Sequence, residues 1–119
     1  MRIGVGAGLD VVLVLVFVAI GRRSHEEGLS LAGLAETAWP FLVGLAVGWA
    51  IMRAWREPEA LPIGAGIWVT TVVCGMLLRT VSGQGTALAF MIVATLFLGA
   101  VLLGWRLIAR FAPIPRART

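Results

Sequence analysis

The chain has 119 residues, of which 60% are hydrophobic and only 13% are charged, and its formal net charge is +4. A globular domain of this length carries about 25% charged residues, so the polar surface of a soluble fold is missing. All ten basic residues are arginines that stand at the ends of apolar runs. Membrane anchoring explains these positions better than nucleic-acid binding does.

The apolar residues form four runs that are long enough to cross a bilayer. A hydrocarbon core of about 30 Å requires about 20 apolar residues in a helix. The sequence therefore predicts an all-α integral membrane four-helix bundle over 1–110 and a short basic tail over 111–119, with spans at about 4–21, 37–55, 62–80 and 86–105. Between the first two spans we expect a linker with a short interfacial helical turn over 29–36.

The arginines also predict the orientation of the four spans. Three of them, Arg22, Arg23 and Arg79, fall on one side of the membrane. Seven fall on the other side: Arg2, Arg53, Arg56, Arg106, Arg110, Arg116 and Arg118. The positive-inside rule then places both termini in the cytoplasm of a multi-pass protein of the plasma (inner) membrane.

An internal repeat is a further hypothesis. A shift of 56 residues aligns Phe41-Leu42 with Phe97-Leu98 and Gly48-Trp49 with Gly104-Trp105. This pattern favours two hairpins of the same orientation, and the alternative is chance agreement between two glycine- and leucine-rich helices.

Asp10 is the most informative polar residue, because it interrupts the first apolar run. An unpaired carboxylate inside a membrane span costs about 2.5–3.5 kcal/mol, so Asp10 should face the bundle and find a partner. Two interpretations stay open. Asp10 carries protons or cations, or it forms a structural ion pair with Arg106 or Arg53 from the same end.

The third span carries a polar stripe. Gly64, Trp68, Thr71, Gly75 and Arg79 follow at spacings of 3 or 4, which places them on one helix face. By residue counting, Trp68 lies at the depth of Asp10, so Trp68 and Thr71 are candidate donors to its carboxylate. A polar pathway or ligand site along Asp10, Trp68, Thr71 and Arg79 is one interpretation, and glycine-mediated helix packing is the other.

Small residues spaced by four predict close helix contacts. The pairs are Gly44 with Gly48 and Ala100 with Gly104, and Gly75 joins them as a packing candidate. The pattern fits contacts within the bundle or between protomers.

A charged cluster is predicted on the outer side, formed by Arg22, Arg23, His25, Glu26 and Glu36. Arginine forks bind carboxylates and phosphates, so the cluster is a candidate anion site. The acids nearly balance the arginines, however, which favours a solvated cluster of ion pairs. His25 has no second histidine or cysteine pair beside it, and we predict neither a metal site nor a cofactor.

Four strings in order resemble a known family: Gly21-Arg22-Arg23-Ser24-His25, Trp39-Pro40-Phe41-Leu42-Val43-Gly44, Gly75-Met76-Leu77-Leu78-Arg79 and Leu103-Gly104-Trp105-Arg106. They resemble the small four-helix actinobacterial membrane proteins grouped as domain of unknown function 3054. The resemblance implies an integral membrane protein and transfers no activity, ligand or catalytic residue.

No nucleotide-binding loop, nucleophile elbow or metalloprotease motif occurs, so we do not expect an enzyme. The first functional hypothesis is a transporter or channel component for a small solute or ion that works as a homo-oligomer. The alternatives are an accessory or scaffold subunit of a larger membrane complex and a protein that binds lipid or pigment in an apolar groove.

Overall fold

The computed structural model describes residues 2–24 and 28–111. Its helices are α1 (Ile3–Ser24), α2 (Leu31–Met52), α3 (Leu61–Val81) and α4 (Leu88–Phe111), and a one-turn 3-10 helix, Ala54–Arg56, follows α2. Each of the four long helices has the length and apolar composition that crossing a membrane requires. The predicted all-α four-helix membrane fold is therefore confirmed.

The helices run alternately up and down in the order α1, α2, α3, α4, and α4 packs back on α1. We call the end where α1 and α3 begin the Asp10 end, and the end where they finish the Arg79 end. The longest dimension of the molecule is 43 Å. A bilayer with its headgroup layers is about 40–45 Å thick, so the bundle matches one membrane.

The α2 helix begins at Leu31 and not near residue 37, so the separate interfacial turn expected over 29–36 is wrong. Ser30 caps the helix, because its hydroxyl accepts a hydrogen bond of 3.0 Å from the Gly33 N–H. A serine cap supplies an acceptor to one of the unpaired N–H groups of the first turn. At the other end α4 continues beyond residue 105 to Phe111.

Pro40 lies inside α2 rather than at its start. Proline has no N–H, so the helical hydrogen bond to the carbonyl of Glu36, four residues earlier, cannot form. The side-chain amide of Gln84, in the loop between α3 and α4, donates to this Glu36 carbonyl at 3.1 Å. The loop thus supplies the donor that Pro40 lacks, and it links α2 to the hairpin formed by α3 and α4.

The closest helix contact is between α2 and α3, and glycines make it possible. A Cβ atom on Gly44 would lie 2.9 Å from the backbone oxygen of Thr71, and one on Gly48 would lie 3.1 Å from the Cα of Ile67. On α3, a Cβ on Gly75 would meet the ring of Phe41 at 2.6 Å. These three glycines therefore lie where a larger side chain would separate the two helices.

Gly104 behaves differently from the other predicted packing glycines. A Cβ atom built on it meets nothing within 4 Å. The contact between α3 and α4 depends instead on Gly99, where a Cβ would lie 2.8 Å from the indole of Trp68.

Four phenylalanines pack together between the middle of the bundle and its Arg79 end. Phe17 of α1 contacts Phe41 of α2 edge to face, with ring centroids 5.4 Å apart, and contacts Phe97 of α4 at 5.5 Å. Phe90 lies 6.1 Å from both Phe17 and Phe41. Aromatic contacts at such distances favour a well-packed core, and this one separates the two ends of the bundle.

Candidate functional site

A buried polar cluster lies at the Asp10 end, and Asp10 is its centre. The Nη1 and Nη2 atoms of Arg106 donate to its two carboxylate oxygens at 2.9 and 2.7 Å. The indole N–H groups of Trp49 and Trp105 donate to the same two oxygens at 2.8 Å each. We call Asp10, Trp49, Trp105 and Arg106 the Asp10 cluster.

Arg106 makes two further hydrogen bonds, both to backbone oxygens. Its Nε donates to the backbone oxygen of Pro58 at 2.8 Å, and Nη1 donates to that of Leu102 at 2.9 Å. The Asp10 and Arg106 side chains are fully buried. A Cβ on Gly64 would collide with the Arg106 side chain, so this glycine provides the space in which the arginine lies.

Of the two interpretations of Asp10, the geometry favours a structural ion pair with Arg106 over a carrier of protons or cations. Each carboxylate oxygen accepts two hydrogen bonds, one from the guanidinium and one from an indole. A bidentate pair with such support is strongly held and leaves little acceptor capacity for a moving proton or cation. Arg53, the other predicted partner, is exposed.

The structure does not bring the predicted polar pathway together. The Trp68 indole donates to the backbone oxygen of Thr95 at 2.8 Å, so the expected bond from Trp68 to Asp10 is not made. Thr71 is fully buried against Gly44, and within the described part of the chain its hydroxyl has no hydrogen-bond partner. Asp10 and Arg79 lie at opposite ends, with the phenylalanine core between them.

Sequence reasoning missed the two tryptophans that hold Asp10. Neither Trp49 nor Trp105 is among the residues that the sequence predicts as partners of Asp10. A signal was nevertheless present, because the 56-residue shift aligns Trp49 with Trp105. Both residues lie near the ends of helices that run antiparallel to α1, which brings both indoles to the depth of Asp10.

A second site is a cavity of about 360 Å³ at the Arg79 end, which we call the outer cavity. Its polar wall carries the side chains of Arg22, Glu36, Thr37, Arg79 and Gln84, and its apolar floor is formed by Phe17, Val18 and Phe90 beside Gly21. Residues of all four helices and of one loop therefore meet there. A cavity of this volume is at the lower limit of ordinary small-molecule sites.

Hydrogen bonds hold both arginines of the outer cavity in place. Arg22 donates to the Gly28 carbonyl at 2.6 Å and to the Thr37 hydroxyl at 2.8 Å. Arg79 donates to the Gly85 carbonyl and the Gln84 side chain at 3.1 Å each, and its guanidinium lies 4.2 Å from the centre of the Phe90 ring. The two positive groups are thus fixed above an aromatic floor.

The other members of the predicted outer cluster lie elsewhere. Arg23 is exposed and does not line the cavity. His25 and Glu26 lie outside the described residues. Within 2–24 and 28–111, no three side chains of the metal-ligating types come together.

A family model described as "Protein of unknown function (DUF3054)" matches residues 7–109. The chain belongs to this family. The match confirms the resemblance seen in the four strings and covers both the Asp10 cluster and the outer cavity. No curated protein and no solved structure shows significant similarity to the chain. This family member is a multi-pass membrane protein, as its four apolar helices indicate.

Proposed function

We propose that this family member is a transporter for a small solute that carries a carboxylate group, and that the outer cavity is the binding site. The observation that supports this proposal is the asymmetry of the bundle. A polar cavity opens at the Arg79 end, whereas the Asp10 cluster closes the other end. One open and one closed end is the arrangement that alternating access requires in a resting state.

The chemistry of the cavity wall favours a carboxylate. Guanidinium groups bind planar carboxylates through paired N–H donors. Two such groups, Arg22 and Arg79, line the cavity together with one carboxylate, Glu36, so these three side chains carry a formal charge of +1. The phenyl rings of Phe17 and Phe90 offer contact to an apolar body, which favours an aromatic or branched acid over an inorganic anion.

The path to the other side of the membrane would require α1 to move. The α1 helix packs less closely on its neighbours than α2 and α3 pack on each other. It also contributes Phe17 to the aromatic core and Asp10 to the closed end. A displacement of α1 would therefore open both barriers together, at the cost of breaking the Asp10–Arg106 pair.

The distribution of arginines between the two ends predicts the orientation of the protein in the membrane. Arg106 is buried in an ion pair and so is not an interfacial anchor, yet six arginines still lie at the Asp10 end or in the tail against three at the Arg79 end. We therefore propose that both termini are cytoplasmic and that the outer cavity faces the exterior.

The topology is tested with a reporter enzyme fused after Thr119 that is active only outside the cytoplasm. We expect this fusion to be silent, and a fusion in the loop at Gly83 to be active. A strong signal from the Thr119 fusion would reverse the orientation, and equal signals from both fusions would indicate a dual topology.

Binding is tested with benzoate, and benzamide serves as the neutral analogue of the same shape. We expect sodium benzoate to raise the thermal midpoint of the purified protein in detergent, while benzamide and sodium chloride do not. Gly21→Leu should abolish the effect, because Gly21 lines the cavity and a Cβ there points into open space. Gly8→Leu is the matched control, since Gly8 is exposed on the same helix and its Cβ also meets nothing.

The arginines provide a second, independent comparison. We expect Arg79→Gln to weaken benzoate binding at least tenfold, because a charged hydrogen bond is lost, whereas Arg23→Gln leaves it unchanged. Uptake of labelled benzoate into proteoliposomes should likewise fall in Arg79→Gln and stay unchanged in Arg23→Gln. Binding without uptake would overturn transport, and equal effects of the two substitutions would reduce the arginines to membrane anchors.

The alternative of an accessory subunit or homo-oligomer has one specific observation in its favour. Ala100 is exposed on α4, and a Cβ on Gly104 has no neighbour within 4 Å, so this small-residue face is open in the single chain. If protomers associate there, Gly104→Leu should convert a cross-linked dimer into monomer in native membranes. An unchanged cross-linking pattern would exclude this face as the contact.

A further inference from the structure

A groove lies between α1 and α2, and of the residues described above it shares only Trp49 with the Asp10 cluster and none with the outer cavity. Its volume is about 510 Å³, and its walls include Ala7 and Val11 of α1, Ala46 and Ala50 of α2, and Trp55 beyond the end of α2. The walls are almost entirely apolar. Trp49 also borders the groove, but its indole N–H is already committed to Asp10, so it offers no donor to an occupant.

The dimensions of the groove match one leaflet of a bilayer. Along α2 it extends from Leu42 to Ala50, which is about 12 Å at 1.5 Å per residue. Half of the hydrocarbon core is about 15 Å. The groove also lies at a flank of the bundle formed by only two helices, so an occupant can enter sideways from the bilayer.

Positive charge is concentrated where the groove reaches the membrane surface. Arg53 adopts a left-handed backbone conformation with φ of 51°, which ends α2 and turns the chain. Arg53 and Arg56 flank Trp55 in the sequence of this turn, and all three side chains are exposed. Glu57 is an exposed acid beside them and Glu59 is buried, so among the exposed side chains of residues 53–57 two arginines stand against one carboxylate.

We propose that this groove binds a phospholipid with an anionic headgroup. One acyl chain lies between α1 and α2, and the Arg53 and Arg56 guanidinium groups bind the headgroup phosphate. Trp55 lies at the level between the acyl chain and the headgroup, which is the interface where amphipathic rings are favoured. The site is at the opposite end from the outer cavity and does not depend on the transport proposal.

The experiment uses the full chain, purified in detergent, with phosphatidylglycerol or phosphatidylcholine of identical acyl chains. Native mass spectrometry counts the lipids that each protein molecule retains. We expect one phosphatidylglycerol per chain and at least tenfold weaker retention of phosphatidylcholine. Equal retention of the two lipids would overturn the headgroup assignment.

Two pairs of variants locate the site. Ala46→Leu fills the groove and should abolish retention, whereas Ala35→Leu should not, because Ala35 is an exposed alanine on about the same face of α2, three turns away. The double variant Arg53→Gln, Arg56→Gln should remove the preference for phosphatidylglycerol, and Arg110→Gln, an exposed arginine at the same end, should preserve it.

Thermal midpoints measured without lipid show whether each variant is folded, and we expect all of them to be within a few degrees of the wild type because the altered side chains are exposed. If Ala46→Leu keeps its bound phosphatidylglycerol, the groove is not the site. A protein dimer that Ala46→Leu dissociates would show that a second copy occupies the groove, which also overturns the proposal.

Discussion

Asp10→Asn is expected to destabilise the protein more than any other single neutralisation of an acidic side chain in the described part of the chain. The substitution keeps the shape of the side chain but removes the charge that compensates the buried Arg106 guanidinium. Breaking one partner of a fully buried pair costs about 3–5 kcal/mol, although an arginine near a helix end recovers part of this by reaching towards water. Thermal unfolding in detergent measures the effect.

The double variant Asp10→Asn, Arg106→Gln isolates the ion pair from the rest of the cluster. With both charges removed, no buried charge is left uncompensated, and the amide oxygen at position 10 can still accept from one of the two indoles, so part of the lost stability should return. Glu57→Gln is the control, because Glu57 is an exposed carboxylate at the same end, and a change within about 0.5 kcal/mol is expected.

The same variants separate a structural Asp10 from a proton carrier. A proton carrier predicts that Asp10→Asn folds normally, loses pH-dependent uptake and gains nothing from the second substitution. The four hydrogen bonds on the carboxylate favour the opposite result, namely a loss of stability that the double variant partly repairs. A single variant as stable as the wild type would contradict the structural role.

The fold could be predicted from the sequence because the membrane imposes a simple rule. A helix must satisfy its own backbone within the bilayer and must be about 20 apolar residues long, so four apolar runs determine four helices. The rule does not locate the start of α2, because the second span is predicted from residue 37 whereas the helix begins at Leu31 and contains Pro40. The missing hydrogen bond is compensated by Gln84, which is far away in sequence, and no local pattern reveals that contact.

The Asp10 cluster could be predicted only in part, for a geometric reason. Counting residues along a helix gives the depth of a side chain but not the direction in which it points around the bundle. Trp68 has the right depth, yet it points to α4, where Gly99 accommodates its indole and Thr95 accepts its N–H. The pairing of Asp10 with Arg106 was among the alternatives, since both residues lie near the same end and carry opposite charges.

The outer cavity could not be predicted from the sequence, because its lining residues come from all four helices and one loop. Its arginines come from α1 and α3, and its aromatic floor comes from α1 and α4. The sequence showed that Arg22, Glu36 and Arg79 share one side of the membrane. It did not show that Gln84 and Thr37 hold the arginine side chains around a common space.

Gly44→Ala is expected to destabilise the bundle, whereas Gly104→Ala is expected to leave it equally stable or stabilise it. Alanine favours a helix over glycine by about 1 kcal/mol, and both glycines lie inside helices, so this term is the same for both. The difference comes from packing. At Gly44 the new methyl group would lie 2.9 Å from the Thr71 oxygen and 3.1 Å from the Thr71 Cα, and neither backbone atom can rotate away.

Overpacking of this kind costs about 1–3 kcal/mol, so the helix-propensity gain is offset and Gly44→Ala should unfold at a lower temperature. In Gly104→Ala the new methyl group has no neighbour within 4 Å, so only the gain in helix propensity remains. The measurement is the difference between the two thermal midpoints in the same detergent. If both variants are stabilised, α2 and α3 are not in close contact at Gly44. If Gly104→Ala is the destabilised one, the α4 face is covered by a second protein molecule.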